Sequence, residues 1–126
     1  MPVRADRDLQ ALLIEIRAQI PYAPPLEQLR ISWVTPQQLH PETKYWAMWN
    51  RLGPDEHWIG ISTVLRDHKA PLYVLRCLIR HELLHAVFPP RRGAKRLHPK
   101  AHVVAERLGA GRDWARLSMW LDRHSY

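Results

Sequence analysis

Cysteine is almost absent from this chain of 126 residues, since Cys77 is the single one. One thiol can neither form an internal disulfide nor build a cysteine-rich structural zinc site, and this usage is typical of a reducing compartment. Phenylalanine and glycine are also scarce, with one and five residues, whereas six tryptophans supply apolar area for a small core. The composition therefore favours a compact domain that is stabilised without crosslinks.

Long apolar runs are missing as well. No window of the sequence approaches the roughly 18 apolar residues that a membrane-spanning helix requires. Charged residues interrupt the apolar positions near the N-terminus, from Arg4 to Arg17, which argues against the uncharged core of a secretory signal. We therefore expect a single cytoplasmic domain over residues 1–126, with no membrane partner.

Acidic residues are the scarcer charge, with 12 against 19 lysines and arginines, and the formal net charge is +7. A basic surplus of this kind favours encounters with polyanions such as nucleic acid, because lysine and arginine release counterions on binding. A basic surface that is only solvated would give the same net charge. The charge therefore leaves open whether the protein binds nucleic acid.

The spacing of apolar residues predicts both helices and strands. A period of three to four residues predicts a helix over 9–20 that stops at Pro21, whereas alternation predicts a strand over 29–34. The other predicted elements are a hairpin of strands 44–50 and 57–62, a helix from 71 to before Pro89, and helices over 99–108 and 114–121. The fold class is α+β: an N-terminal helix, a small antiparallel sheet of about three strands, a long helix and two C-terminal helices.

The long helix contains His81-Glu82-Leu83-Leu84-His85, an H-E-x-x-H motif. Residues four apart project from one helix face about one turn apart, so His81 and His85 can share one metal ion. Glu82 points roughly 100° away from His81 about the axis, which suits a general base acting on a metal-bound water. The expected cofactor is Zn²⁺ and the expected reaction is hydrolysis. The alternative is a pair of half-buried histidines with a glutamate salt bridge.

A catalytic zinc ion usually has three protein ligands and one open position, so a third ligand is needed. His98, His102 and Glu106 follow one another at four-residue steps and share one face of the next helix. Spacing alone leaves all three open. His98 is favoured, because it lies at the start of the helix after a glycine-containing loop.

The region from Leu75 to His102 resembles the active-site region of SprT-like metallopeptidases. That resemblance implies a zincin-like fold, peptide-bond hydrolysis with Glu82 as catalytic base, and His98 as third zinc ligand beside His81 and His85. Two positions depart from the family pattern, since Pro99 replaces the usual glycine and His102 stands where an aromatic residue is expected. In the related minimal gluzincin-type peptidases, a downstream glutamate, here Glu106, would be the third ligand.

The loop between the second and third expected zinc ligands is basic. Arg91, Arg92, Lys95 and Arg96 lie between His85 and His98 and would form a positive rim beside the metal. The SprT-like group includes enzymes that digest proteins crosslinked to DNA, so the resemblance implies DNA as a partner besides the protein or peptide substrate. An exposed loop without a partner is the alternative.

The sequence allows three further interpretations. Trp58 to Ser62 is a candidate edge strand for an extended substrate, although an ordinary hairpin strand fits equally well. A non-enzymatic, basic nucleic-acid-binding domain with a structural zinc site is the rival from another functional class. A deformylase or a three-histidine RNA-cleaving enzyme fits less well, because the latter's H-x3-H-x5-H spacing would need a histidine where Arg91 stands.

Overall fold

The computed structural model describes residues 8–39, 46–67, 69–89 and 99–124. These residues form five α-helices and three strands, so the predicted α+β class is confirmed. In chain order the elements are α1 (Leu9–Ala18), β1 (Leu29–Val34), β2 (Ala47–Gly53), β3 (Glu56–Ser62), α2 (Thr63–Asp67), α3 (Leu72–Val87), α4 (Lys100–Ala110) and α5 (Asp113–His124).

The first helix follows its apolar period. The Asp8 side chain caps α1 by accepting a hydrogen bond from the Ala11 backbone N–H, which satisfies one of the free donors of the first turn. Leu9, Leu12, Leu13 and Ile16 are all buried, and they pack on α3 and β1. The predicted N-terminal helix is therefore confirmed, although it ends at Ala18, two residues earlier than expected.

The sheet is mixed, and the prediction of an antiparallel sheet is wrong. Its strand order is β1-β3-β2, with β3 antiparallel to β2 and parallel to β1. The hairpin determines only that β2 pairs with β3. Strand β1 pairs with the other side of β3, the strand whose Ile59 and Ile61 are fully buried. Trp58 to Ser62 consequently lies in the central strand and cannot be the edge strand proposed from the sequence. The edges of the sheet are β1 and β2.

Helix α3 is the centre of the structure. It begins after Pro71, as predicted, and packs against α1, α4, α5 and the sheet. Leu75, Ile79 and Leu83 are completely buried, and apolar residues occupy most of its circumference, which is the pattern of a helix enclosed on several sides.

The last two helices close the fold around α3. Helix α4 starts after Pro99 and ends at Ala110, and the next residue, Gly111, has a φ of 58° that is readily adopted only by glycine. Helix α5 buries Leu117 and Trp120 against the core. The five-residue helix α2 was not predicted. Within the part of the chain that the structure describes, no helix is both long and apolar enough to span a bilayer.

Candidate metal centre

Two histidines of α3 face the same side of the helix. His81 and His85 are one turn apart, and their ring centroids lie 4.9 Å from each other. The one-turn spacing of the H-E-x-x-H motif thus produces the expected convergence on one face.

A third histidine comes from α4. The His102 ring centroid lies 4.8 Å from that of His81 and 4.7 Å from that of His85, so the three rings form a nearly equilateral triangle. One nitrogen of each ring lies within 4.8 Å of the others, and the three side chains are close enough to bind one metal ion. His102 is 0% exposed. The predicted third ligand, His98, lies outside the described residues, so that prediction is not tested.

Hydrogen bonds fix the orientation of two of the rings. His81 Nδ1 donates to Glu106 Oε2 at 2.8 Å, which leaves His81 Nε2 for a metal. His102 Nε2 donates to the backbone carbonyl oxygen of His81 at 3.0 Å, and His102 Nδ1 lies 3.6 Å from Glu106 Oε1. Metal-binding histidines commonly donate their second ring N–H to a carboxylate or a carbonyl group in this way. Glu106, which spacing alone allowed as a ligand, is hydrogen-bonded to His81 through Oε2, and its Oε1 atom lies near His102.

The carboxylate of Glu82 lies beside the same cluster. Its Oε2 atom is 3.9 Å from His81 Nε2, and the residue is only 6% exposed. Burial raises the pKa of Glu82 to about 7, with the charge of His81 opposing the shift and that of Glu106 adding to it. A glutamate with a pKa in this range can both take and return a proton near neutral pH.

The pKa of His81 is set by opposing effects. Burial lowers it, but the hydrogen bond to Glu106 and the negative charges of Glu82 and Glu106 together raise it above its ordinary value. The two carboxylates thus favour a positive charge at the position of this ring, and a divalent cation would satisfy the same preference.

Trp49 of β2 supports the cluster from the sheet, and the sequence analysis did not identify it. Its ring is nearly parallel to that of His85, with centroids 6.0 Å apart and an interplanar angle of 19°. On the other side Trp49 Nε1 donates to His57 Nδ1 at 3.2 Å. Burial, followed by the charge of Arg51, lowers the pKa of His57, which keeps its imidazole neutral and able to accept this bond. The aromatic content of β2 was the only available signal.

The donor set fits a transition-metal ion. Three imidazole nitrogens suit zinc, copper, iron or nickel, whereas magnesium and calcium prefer oxygen ligands. Three protein ligands would also leave a coordination position for water or substrate, and Glu82 lies beside the histidine cluster. The predicted basic rim of Arg91, Arg92, Lys95 and Arg96 lies outside the described residues.

Comparison of the chain with protein-family models, with curated proteins and with solved structures found no match.

Proposed function

We propose that this protein is a zinc-dependent metallopeptidase with a zincin-like, SprT-like fold, in which His81, His85 and His102 hold the metal and Glu82 is the general base. One observation carries the proposal: three histidines from two helices converge, and a buried carboxylate lies 3.9 Å from Nε2 of one of them, His81. A salt bridge at the surface does not require three histidines to converge. Hydrolysis at a zinc centre requires metal ligands and a general base, and the three histidines and Glu82 would supply them.

Each protein group has a distinct task in this chemistry. A zinc ion in this centre would lower the pKa of a bound water and polarise the substrate carbonyl. Glu82 accepts the proton of the attacking water and returns it to the leaving amine nitrogen. Glu106 keeps His81 in the tautomer and orientation that present Nε2.

The outer strand of the sheet supports a peptide as substrate. Strand β2 is an edge of the sheet and packs on α3, and its Trp49 stacks on His85. An extended peptide that pairs with such an edge lies with its backbone in reach of the metal centre. The edge next to the metal is therefore β2, in place of the strand expected from the sequence.

The decisive experiment substitutes Glu82. Glu82→Gln retains the size of the side chain but cannot accept a proton, so we expect it to keep stoichiometric zinc and to lose at least about a hundredfold in the rate of digestion of an unfolded protein. Glu27→Gln, an exposed residue outside the centre, is the matched control and should behave as wild type. Zinc is measured by mass spectrometry and digestion by release of a quenched fluorophore. Purified protein without stoichiometric metal, or equal cleavage by both variants, would refute the proposal.

A pair of histidine variants decides the third ligand. We expect His102→Ala to lose most of the bound zinc, because its ring completes the triangle with His81 and His85. His98→Ala should retain the metal. The reverse result would assign the third position to His98, as the resemblance implied, and would leave His102 a buried neighbour of the centre.

One observation favours a second candidate function. The complete burial of His102 is also what a structural zinc site would show, in a basic domain that binds nucleic acid without catalysis. In that case Glu82→Gln would change no activity, because the wild type would have none. Nucleic-acid binding itself is tested by titrating DNA at rising salt, where neutralising Arg91, Arg92, Lys95 and Arg96 should lower both affinity and salt dependence.

A further inference from the structure

A cleft separate from the histidine cluster lies beside helices α3 and α4. It has a volume of about 710 Å³ and runs between the end of α1 and helix α4, with α3 as its floor. Apolar side chains form most of its walls, namely Ile20, Leu84, Val104 and Leu108. Leu108 is 80% exposed, so the open side of the cleft is apolar too. This volume is within the range of sites that bind small molecules or short peptides.

A buried arginine lies in this apolar cleft. Arg80 is only 6% exposed, and its guanidinium hydrogen-bonds to the side-chain oxygen of Gln19, which is a neutral group. No carboxylate among the described residues forms an ion pair with Arg80. Placing an arginine at a buried site without a counter-charge is unfavourable, and an anion that enters the cleft would relieve that cost.

The neighbouring helix leaves room for this arginine. A Cβ atom at Gly109 of α4 would lie 2.8 Å from Arg80 Nε and 2.9 Å from Cδ, closer than real Cβ atoms come. Glycine in the interior of a helix is disfavoured by about 1 kcal/mol relative to alanine. A side chain at position 109 would therefore require Arg80 to shift from its place against α4.

The mouth of the cleft adds positive charge. Lys100 and Ala101, the first residues of α4, line it, and no side chain of a described residue caps the N-terminus of this helix. Free backbone N–H groups and the helix dipole attract anions at such a position. Arg80, Lys100 and the helix terminus therefore favour a negative group at one end of a cleft that is otherwise apolar.

We propose that this cleft binds the free C-terminal carboxylate of a peptide whose last side chain is apolar, with Arg80 as the partner of the carboxylate. A guanidinium can hold a carboxylate through two parallel hydrogen bonds, and the apolar walls take the side chain. Gln19 and Tyr22 also line the cleft, and their polar side chains can hydrogen-bond to the amide groups of a peptide. A simple hydrocarbon acid has no such groups. The site is independent of the metal centre and of the proposed reaction.

The test compares two peptides that differ only at the C-terminus. A fluorescent tetrapeptide, Ala-Ala-Leu-Leu, is titrated with the whole protein as the free acid and as the C-terminal amide, and binding is followed by anisotropy. We expect the free acid to bind at least about tenfold more tightly than the amide, because a charge-assisted hydrogen bond is lost in the amide. Mass spectrometry after the titration checks that the peptide is intact.

Variants locate the binding to this cleft. Gly109→Ala forces Arg80 away without changing any charge, and Lys100→Gln removes the exposed charge at the mouth, so each should weaken binding of the free acid severalfold and leave binding of the amide unchanged. Arg112→Gln removes one exposed charge outside the cleft and should have no effect. Equal binding of acid and amide, or no change in Gly109→Ala and Lys100→Gln, overturns the proposal. Displacement of the peptide by octanoate at equal concentration also overturns it, since the ligand class would then be a hydrocarbon acid.

Discussion

Two carboxylates face the same imidazole, and their different positions give them different tasks. Glu106 Oε2 lies 2.8 Å from His81 Nδ1 and is hydrogen-bonded to that edge of the ring. Glu82 Oε2 lies 3.9 Å from Nε2, at the other edge. In the proposed centre the first carboxylate would orient His81 as a ligand, and the second would exchange a proton with water.

Glu106→Gln tests the orienting role. Glutamine still offers an oxygen to His81 Nδ1 but carries no charge, so the imidazole becomes a weaker ligand. We expect zinc affinity to fall roughly tenfold, measured by competition with a chromophoric chelator. Glu27→Gln is the control of equal charge change. Unchanged affinity in Glu106→Gln would show that the carboxylate does not act through His81.

Glu82 should make the stability of the metal-free protein depend on pH. Burial raises the pKa of its carboxyl from 4.5 to about 7, so the folded state holds the proton more tightly than the unfolded state. The resulting stabilisation is complete below pH 4.5 and is lost as the pH rises through about 7, a total change of about 3 kcal/mol. Glu82→Gln cannot titrate. Urea unfolding of both proteins between pH 4.5 and 8 should therefore show the wild type losing stability relative to the variant, and parallel curves would contradict the shift.

At the level of helices and strands, sequence patterns predicted those elements that depend on neighbouring residues. The apolar periods of α1 and α3 and the turn signal at 53–55 depend on neighbouring residues, and the structure contains these elements. The pairing of β1 with β3 depends on which strand is most buried, which no local pattern reports. The same limit applies to the metal centre: His81 and His85 share one helix, whereas the contribution of His102 depends on how α4 is rotated against α3.

The central position of β3 predicts a special role for Gly60. A Cβ atom there would lie 3.2 Å from both Val34 Cγ atoms and 3.3 Å from Met48 Cγ, because both flanking strands close over this residue. We expect Gly60→Val to lower the free energy of unfolding by about 2 kcal/mol through overpacking. Gly53→Val is the matched control, since the nearest atom to its Cβ lies 4.0 Å away. Urea denaturation measures both, and equal losses would show that the close contacts at position 60 are not the cause.

On the scale of the whole molecule, the cluster of three histidines joins α4 to α3, two helices that apolar packing joins only weakly. The buried residues of α4 are His102 and Glu106, both polar and both directed at α3. By contrast, α1 buries four apolar side chains. Because burial of polar groups contributes less than burial of apolar ones, the docking of α4 depends on the hydrogen bonds and on the ion that the three histidines can share.

Removal of the metal should therefore loosen α4 more than the rest of the fold. An ion present at about a thousand times its dissociation constant adds about 4 kcal/mol to the stability of the folded state, so a chelator should lower the melting temperature by roughly 10 °C or more. Hydrogen exchange should accelerate in Lys100–Ala110 and change little in Leu9–Ala18, because only the former helix is held through the centre. His102→Ala should already exchange rapidly in α4 and should not respond to the chelator. An equal acceleration in both helices, or a chelator response that persists in His102→Ala, would show that the ion does not join α4 to α3 through this histidine.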